Sequence, residues 1–303
     1  MAGWALARLS AADRARPLDR VAVPLMALTP YAAAGAGLAA LVLRRKGPSV
    51  TAALAGAALA GVVVPRSIAR RQPAALGPVL RVLTVNLLSG QAAGEELVEL
   101  TRRTGADVLF LQELTEDAVT RLKRAGLSEL LPYEMLGIAG YRYRGSGIYA
   151  RHMLRDGLLI GPSYASQPTA RLDLESGRSV HLVCVHPHPP APPWYWPAAP
   201  RWRRELAALP PPNEIPVVLA GDFNATLDHA QFRRLLRLGH VDAASQVGNG
   251  LAPTWGPEPR GRPALLAFDH VLVDPRCAVI TTATYPLTGS DHRALYAEFR
   301  LPA

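Results

Sequence analysis

Cysteine is scarce in this chain: Cys184 and Cys277 are the only two in 303 residues, each inside an apolar run and neither with ligand spacing around it. That excludes a disulfide-stapled scaffold and a thiolate metal centre. Both read as buried thiols, with a pairing between them left open if the domain lies outside the cell. Acidic residues are almost missing from the first 80 positions, where Asp13 and Asp19 stand against ten Lys/Arg. No charge of either sign occurs from Val21 to Leu43, nor from Gly47 to Pro65. The chain also lacks a Gly-rich phosphate loop, a serine elbow and a cysteine-nucleophile setting, which removes three common hydrolytic chemistries.

What is present is unevenly distributed. The formal net charge is +9, of which residues 1–80 carry +8 and residues 81–303 carry +1. The large remainder therefore has no global electrostatic footprint for nucleic acid. The stretch 21–43 is long enough to cross a bilayer, which takes about twenty apolar residues. The stretch 47–65 is shorter and rich in Ala, Gly and Val, with Arg44, Arg45 and Lys46 between the two and Arg66, Arg70 and Arg71 after them. This reads as a transmembrane hairpin with a basic tip. The competing readings are an Ala-rich soluble helix pair and a cleaved signal peptide; against the latter, the apolar run starts late and a second run follows it. The expected organisation is a basic tail over 1–20, two transmembrane helices over 21–65, a linker over 66–78 and a catalytic domain over 79–303. An acid-free basic loop favours the cytoplasmic side, which places both chain ends, and so the catalytic domain, on the extracytoplasmic side of the cell membrane.

From residue 79 the pattern is α/β. Apolar β-type runs occupy 79–88, 108–111, 179–186, 215–220, 268–273, 278–285 and 294–299, and amphipathic helical runs occupy 95–103, 116–127, 202–209 and 229–238. Residues 187–200 are Pro-rich, contain Trp194, Tyr195 and Trp196, and read as a loop. Polar residues gather where the strands end: Asn86, Glu113, His186 with His188, Asp222 with Asn224, Asp269 with His270, and Asp291 with His292. Strand ends hold side chains rigidly at one rim of a sheet, where open α/β folds build sites. The residue types suit one reaction. Glu113, Asp291 and Asn86 supply oxygen to a hard cation. Asp222 is an acceptor for the proton of an attacking water, and His186, His292 and Asn224 are donors for charge developing on phosphoryl oxygens.

The ordered set Thr84-Val85-Asn86, Leu111-Gln112-Glu113, His186-Pro187-His188-Pro189, Gly221-Asp222-Phe223-Asn224, Phe268-Asp269-His270 and Gly289-Ser290-Asp291-His292 resembles the endonuclease/exonuclease/phosphatase superfamily over residues 81–300. Pro253-Thr254-Trp255 also looks like that family. The resemblance implies a four-layer α/β sandwich with two mixed β-sheets, here preceded by the transmembrane helical hairpin. It implies Mg²⁺ or Mn²⁺, metal binding by Glu113, Asn86 and Asp291, and catalysis by Asp222, Asn224, His292, His186 and Asp269, the last as partner of a key histidine. The hairpin is similar to that of a membrane-anchored actinobacterial subgroup that includes the teicoplanin-resistance membrane proteins. In that subgroup a further helix often precedes the two, a place for which residues 1–20 are too polar here.

Bland readings stand beside these. A Gly-Asp-Phe-Asn segment can be a plain turn, His270 packs beside Asp269, and Arg144-Gly145-Ser146-Gly147 touches phosphate or only turns the chain. The clusters Arg201, Arg203, Arg204 and Arg233, Arg234, Arg237 read as solvated helix faces. His188, Trp194 and Trp196 are candidate substrate contacts beside His186. The leading expectation is a membrane-anchored, metal-dependent phosphoester hydrolase whose substrate is a membrane lipid or lipid-linked phosphate or pyrophosphate, with no protein partner. The alternatives are a tethered or secreted nuclease of the same chemistry, with nucleic acid the less favoured substrate on charge grounds, and an inactive binding module that kept the fold.

Overall fold

The computed structural model describes residues 2–15, 19–42, 46–138, 143–190, 198–256 and 263–303. Four helices come first: α1 (Ala2–Leu9), α2 (Asp19–Met26), α3 (Thr29–Val42) and α4 (Lys46–Val63). Then follow β1 (Val79–Asn86), α5 (Gly94–Thr104), β2 (Val108–Gln112), α6 (Glu116–Arg124), α7 (Leu127–Leu130), β3 (Tyr133–Gly137), β4 (Ser146–Ala150), β5 (Leu154–Leu159) and β6 (Pro168–Asp173). The second half continues with β7 (Ser179–Val185), α8 (Ala198–Ala207), β8 (Val217–Asp222), α9 (Ala230–Arg237), β9 (Val241–Asp242), α10 (Ala243–Gln246), β10 (Asp269–Val273), β11 (Ala278–Tyr285) and β12 (Ala294–Arg300).

The strands form two six-stranded sheets, ordered β11-β12-β1-β2-β4-β3 and β5-β6-β7-β8-β10-β9. Each is mixed in the same way. One parallel pair, β1–β2 or β7–β8, sits in the middle, with antiparallel pairings on either side. The two sheets are thus topological copies, although no repeat is visible in the sequence. Both parallel pairs end at one rim, and β10 and β12 start there because each runs antiparallel to its neighbour: Asp269 pairs with Asp222, and Leu295 with Thr84.

Alternation along the strands sorts residues between two environments. Leu80 and Val82 of β1, Phe110 of β2, Leu182 of β7, Val218 and Ala220 of β8 and Val271 of β10 pack between the sheets. Leu83, Val85, Leu109 and Leu111 face the other way, under Leu97 and Leu100 of α5 and Leu122 of α6. Val183, Val185, Val217 and Leu219 likewise lie under Trp202 of α8 and Phe232 of α9. The layers are helix, sheet, sheet, helix, and each fully buried aliphatic or aromatic side chain contributes about 1.5–3 kcal/mol. Period two then places Asn86, His186, Asp222 and Asp269 on the inter-sheet rows, one step beyond the apolar ones. The site is where those rows turn polar. Cys184 and Cys277 are both buried free thiols in this inter-sheet core.

The N-terminal region departs from the sequence expectation in three ways. First, the basic tail over 1–20 contains α1 and a 3₁₀ turn at Ala12–Arg14, and Arg8, Asp13 and Asp19 in it are buried. Arg8 and Arg66 both bond the carboxylate of Asp228, at 2.6 Å from Arg8 Nε to Oδ1 and at 2.6 and 2.8 Å from the Arg66 nitrogens. Asp13 Oδ2 accepts from Ala230 N, the first amide of α9, at 2.8 Å, and Asp19 accepts from Arg203 at 2.9 Å. Arg8, Asp13 and Asp19 thus each have a partner in the α/β domain. Arg203 and Arg233, expected on solvated faces, are part of this docking; Arg233 donates to the carbonyls of Asp228 and Arg8. His229 joins it, with its Nε2–H on Val23 O at 3.0 Å.

Second, the stretch 21–43 is not one helix. α2 ends at Met26, with Pro24 inside it, and α3 begins at Thr29. Val23 packs into the core under α8 and α9, so the α2 half of the stretch belongs to the catalytic domain. α3 and α4 pack side by side through small residues: a Cβ on Gly56 would lie 3.3 Å from Gly37 N and 3.4 Å from the Ala36 Cβ. Such small-residue seams let helices approach closely. Ala5 of α1 joins Ala32, Ala55 and Leu59 at the hairpin base. Third, the linker over 66–78 is laid along the domain, with Ala69 bridging Val247 and the Gln72 side chain bonded to Gln246 O and Val279 N.

Candidate active site

Three loops carry the strain that aims the site: Leu88 and Ser89, after β1, have φ +46° and +53°. Glu113, directly after β2, has φ +53°, and Asn224, two residues after the end of β8, has φ +49°. Left-handed backbone at non-glycine residues costs on the order of 1–3 kcal/mol each and gathers at functional sites. Gly221 just before Asp222 is required: at φ +149° a Cβ would sit 2.0 Å from Val185 O of the parallel neighbour. Gly289 before Ser290 is similar, with φ +82° and a Cβ that would meet Gln91 O at 2.5 Å. Beneath, fully buried Trp202 donates its Nε1–H to Phe223 O at 3.0 Å and fixes α8 to the loop after Asp222.

The structure brings together Asn86, Glu113, His186, His188, Asp222, Asn224, Asp291 and His292 around one cleft of about 590 Å³. Asn86 Nδ2 lies 3.2 Å from both Glu113 Oε1 and Asp222 Oδ2. Glu113 Oε2 accepts from Ser89 N at 2.6 Å. Asp222 Oδ1 accepts from Asn224 N at 2.8 Å, and its Oδ2 lies 3.8 Å from His292 Nε2 and 4.0 Å from His186 Nε2. His292 Nδ1 donates to Asp269 Oδ2 at 2.8 Å, so Asp269 is the histidine's partner from behind the cleft wall. Asp291 Oδ2 accepts from Trp255 Nε1 at 2.9 Å. Asn224 Nδ2 holds Pro187 O at 3.1 Å, and His188 is tied through Nδ1 to Pro189 O at 2.7 Å.

The charges follow from burial and these partners. Burial would strip His292 of its proton, but the carboxylates of Asp269 and Asp222 outweigh it and push its pKa up to about 10. Asp222 is buried, which pushes it up to about 7 against the opposing pull of the His292 charge. His186 is pulled down to about 3 by burial and by the neighbouring imidazolium. At neutral pH the cleft therefore holds a charged donor at His292, a neutral imidazole at His186 and a carboxylate at Asp222 whose proton affinity is near that of a general base.

His270 lies outside this group, with Nδ1 on Asp242 at 2.9 Å and Nε2 on Ala225 O at 2.9 Å, in keeping with a structural reading. Trp194 and Trp196, expected to contact substrate, fall outside the described residues. Sequence reasoning missed Tyr164, Ser89 and Glu205, and read Arg201 as solvated. Tyr143, Arg144, Tyr164, Arg201 and Trp255 all line the cleft. The one available signal was Glu205, an acid three residues after the buried Trp202 on the same helix face.

An α/β sandwich with carboxylate, amide and imidazole groups collected at one rim defines a class of hydrolase for phosphoester bonds. A sequence model of the Endonuclease/Exonuclease/phosphatase family matches residues 83–292, and the chain belongs to that family. Its members act on phosphoester bonds and generally use divalent metal ions. No curated protein sequence matches the chain at a significant level. Among solved structures, the fold is similar to an endonuclease/exonuclease/phosphatase from Beutenbergia cavernae (18% identity, 74% of this chain and 72% of that one, TM-score 0.59). It is also similar to D. rerio TDP2 complexed with single strand DNA product (18%, 73% and 99%, 0.57) and to a 3'-5' exonuclease from Neisseria meningitidis (20%, 73% and 100%, 0.52). At these identities the likeness is one of fold.

Among the described residues no group of three or more His, Cys, Asp or Glu side chains is arranged to hold a metal. Glu113 offers carboxylate oxygen and Asp291 Oδ1 is buried without a hydrogen-bond partner among the described residues, while Asn86 turns its Nδ2 toward Glu113 and its Oδ1 accepts from Leu88 N at 3.0 Å, so its amide would have to turn over to add an oxygen. One or two carboxylates plus water is the usual holding of Mg²⁺, so these residues fit a hydrated hard cation.

Proposed function

We propose that this protein is a membrane-anchored, divalent-metal-dependent phosphoester hydrolase acting on a phosphate or pyrophosphate ester presented at the membrane surface. The observation that carries the chemistry is the Asp222–His292–Asp269 chain, a carboxylate with raised proton affinity 3.8 Å from an imidazolium that is itself held by a second carboxylate. Glu113, Asn86 and Asp291 would hold the cation, which when bound polarises a phosphoryl oxygen. Asp222 Oδ2 takes a proton from the attacking water as the water oxygen bonds phosphorus. His292 Nε2–H and the neutral His186 donate to the oxygens that gain charge, and Asp269 keeps the His292 ring oriented and charged. The bond to the leaving oxygen breaks, and that oxygen recovers a proton from solvent or from Asp222.

The membrane reading is supported by α4 and by where the hairpin attaches. Val50–Ser67 is 18 residues long with mean hydropathy 1.5. Leu38, Leu41, Val42, Val50 and Leu54 are large apolar side chains left exposed toward the hairpin tip. The hairpin base meets the rim that carries the site. Tyr31 donates to Leu265 O at 2.7 Å, and the adjacent Leu266 pairs with Trp255 of the cleft. Asp228, which holds Arg8 and Arg66, is four residues beyond Asn224. A nuclease reading is favoured by one feature, the stacked rings of Tyr143 and Tyr164 at 5.8 Å, since stacked aromatics suit unpaired bases.

The test is release of 4-nitrophenol from bis(4-nitrophenyl) phosphate by full-length protein in detergent. Turnover is expected with Mg²⁺ or Mn²⁺, none with chelator, and recovery on adding the metal back. Undiminished turnover in chelator would remove the metal-dependent mechanism.

A further inference from the structure

The wall of the cleft formed by α8 and the β5–β6 connection has no part in the reaction described above, yet it is built with care. Arg201 of α8 lines the cleft, and its side chain remains 38% exposed. Its Nε donates to Glu205 Oε1 at 3.1 Å. Glu205 is buried and also accepts from Tyr164 N at 2.8 Å and, through Oε2, from His188 N at 2.7 Å. One carboxylate therefore joins the helix, the tyrosine loop and the segment after β7 into a single rigid wall. The guanidinium carbons of Arg201 and Arg144 lie 5.4 and 4.4 Å from the centre of the Tyr164 ring. Among the described residues the Nη groups of Arg201 make no hydrogen bond or ion pair, so the fixed face of the guanidinium meets the cleft with its fork open.

A guanidinium held through Nε by a buried acid loses little conformational freedom on binding, and its two remaining nitrogens match two oxygens of a phosphate. Glu113, Asp222, Asp269 and Asp291 gather around His292 where the attacked group sits, whereas Arg201 and Arg144 bring two further cations to this wall, so a second anionic group is drawn here. We propose that Arg201, positioned by Glu205 and flanked by Arg144, is the receptor for a second phosphoryl group of the substrate, the one that is not attacked. This rests on the proposed phosphoester chemistry and narrows its substrate to a diphosphate ester. A polynucleotide also carries second phosphates, but the domain's net charge of only +1 over residues 81–303 provides little for the rest of a polyanion.

The proposal is tested by titrating full-length protein in metal-free detergent buffer with inorganic pyrophosphate and with inorganic phosphate. The wild type is expected to bind pyrophosphate about tenfold or more tighter than phosphate, and Arg201→Ala to lose that preference, the scale of a lost charge-assisted hydrogen bond. Arg201→Lys should recover it only in part, since an ammonium does not reproduce the fork. Glu205→Gln should weaken pyrophosphate binding in the same selective sense, with unfolding temperatures checked for each variant. Unchanged preference in Arg201→Ala would overturn the assignment. In parallel, kcat/KM is compared for geranyl diphosphate, bis(4-nitrophenyl) phosphate and a short thymidine oligonucleotide. An Arg201→Ala loss that is largest for geranyl diphosphate supports the proposal, whereas one largest for the oligonucleotide assigns the wall to nucleic acid and overturns it. Selective pyrophosphate binding by a protein that hydrolyses none of the three would keep the subsite and remove the hydrolase reading.

Discussion

Replacing Asp228 by alanine isolates the contribution of the N-terminal segment to the fold. The Asp228 side chain is fully buried and serves two guanidiniums, Arg8 from before the hairpin and Arg66 from after it, whose side chains are 8% and 7% exposed. Burial alone would raise the Asp228 carboxyl, but hydrogen bonds from Arg66 and Arg8 outweigh it and hold the pKa below the usual carboxylate range. Asp228→Ala leaves both cations buried without their partner, which costs about 3–5 kcal/mol. For a chain of this size that corresponds to a Tm lower by on the order of 10 °C. The assay is thermal unfolding of the detergent-solubilised protein by tryptophan fluorescence, with Arg151→Ala as control. Arg151 pairs with Asp107 at 3.2 Å while 45% exposed, and an exposed pair is worth about 0–1 kcal/mol. The triple change Arg8→Met, Asp228→Leu, Arg66→Met removes all three charges and should recover most of the loss, because buried ion clusters replaced by apolar groups are often neutral. The sign with pH is fixed by the depressed pKa. The Asp228 contribution is full above the unfolded-state value of about 3.9 and fades only as pH falls through the lower folded value, so the deficit of Asp228→Ala should be constant from about pH 5 to pH 8. A Tm for Asp228→Ala within about 2 °C of wild type would refute the clamp, because that corresponds to no more than an exposed pair.

Other outcomes follow from the same geometry. Asp222→Asn and His292→Ala should each lower turnover about 10²-fold or more, as expected for loss of a base or of a charge-stabilising donor, and near-normal turnover in either would remove that residue from the mechanism. The pH–rate profile should be bell-shaped, rising as Asp222 loses its proton at about 7 and falling as His292 loses its own at about 10. Asp269→Asn removes the carboxylate that holds the His292 proton, so the upper limb should move to lower pH; an unmoved limb would separate Asp269 from His292 function. A reporter fused after Ala303 should be active outside the cytoplasm and silent inside, and the reverse would invert the proposed orientation.

The sandwich was legible in the sequence because its central strands are apolar and uninterrupted and because the polar site residues continue the inward-facing rows of those strands. Asn86, His186, Asp222 and Asp269 stand out in the sequence as polar residues at strand ends, and they lie within one cleft or directly behind it. Strand β5 was not legible: Leu-Arg-Asp-Gly-Leu-Leu is an exposed edge with no alternation. Strand β3 was missed for the same reason, with Tyr133 and Glu134 exposed. The cleft wall was illegible because Arg201 and Glu205 acquire meaning only through backbone amides of Tyr164 and His188, which are distant in sequence. The N-terminal segment misled in the opposite direction. It reads as a basic tail, yet Arg8, Asp13 and Asp19 are buried because the partners Asp228, Ala230 N and Arg203 lie about two hundred residues away. Pairing of that kind leaves no local pattern to read.

The most direct test of the central claim is a substrate competition with the purified full-length protein in detergent and Mg²⁺. A polyprenyl pyrophosphate and plasmid DNA are supplied at equal phosphate concentration, with Asp222→Asn in parallel. The account predicts phosphate release from the polyprenyl pyrophosphate by the wild type, none from Asp222→Asn, and little nicking of the plasmid. Efficient plasmid cleavage without phosphate release from the lipid would contradict it and make the protein a tethered nuclease.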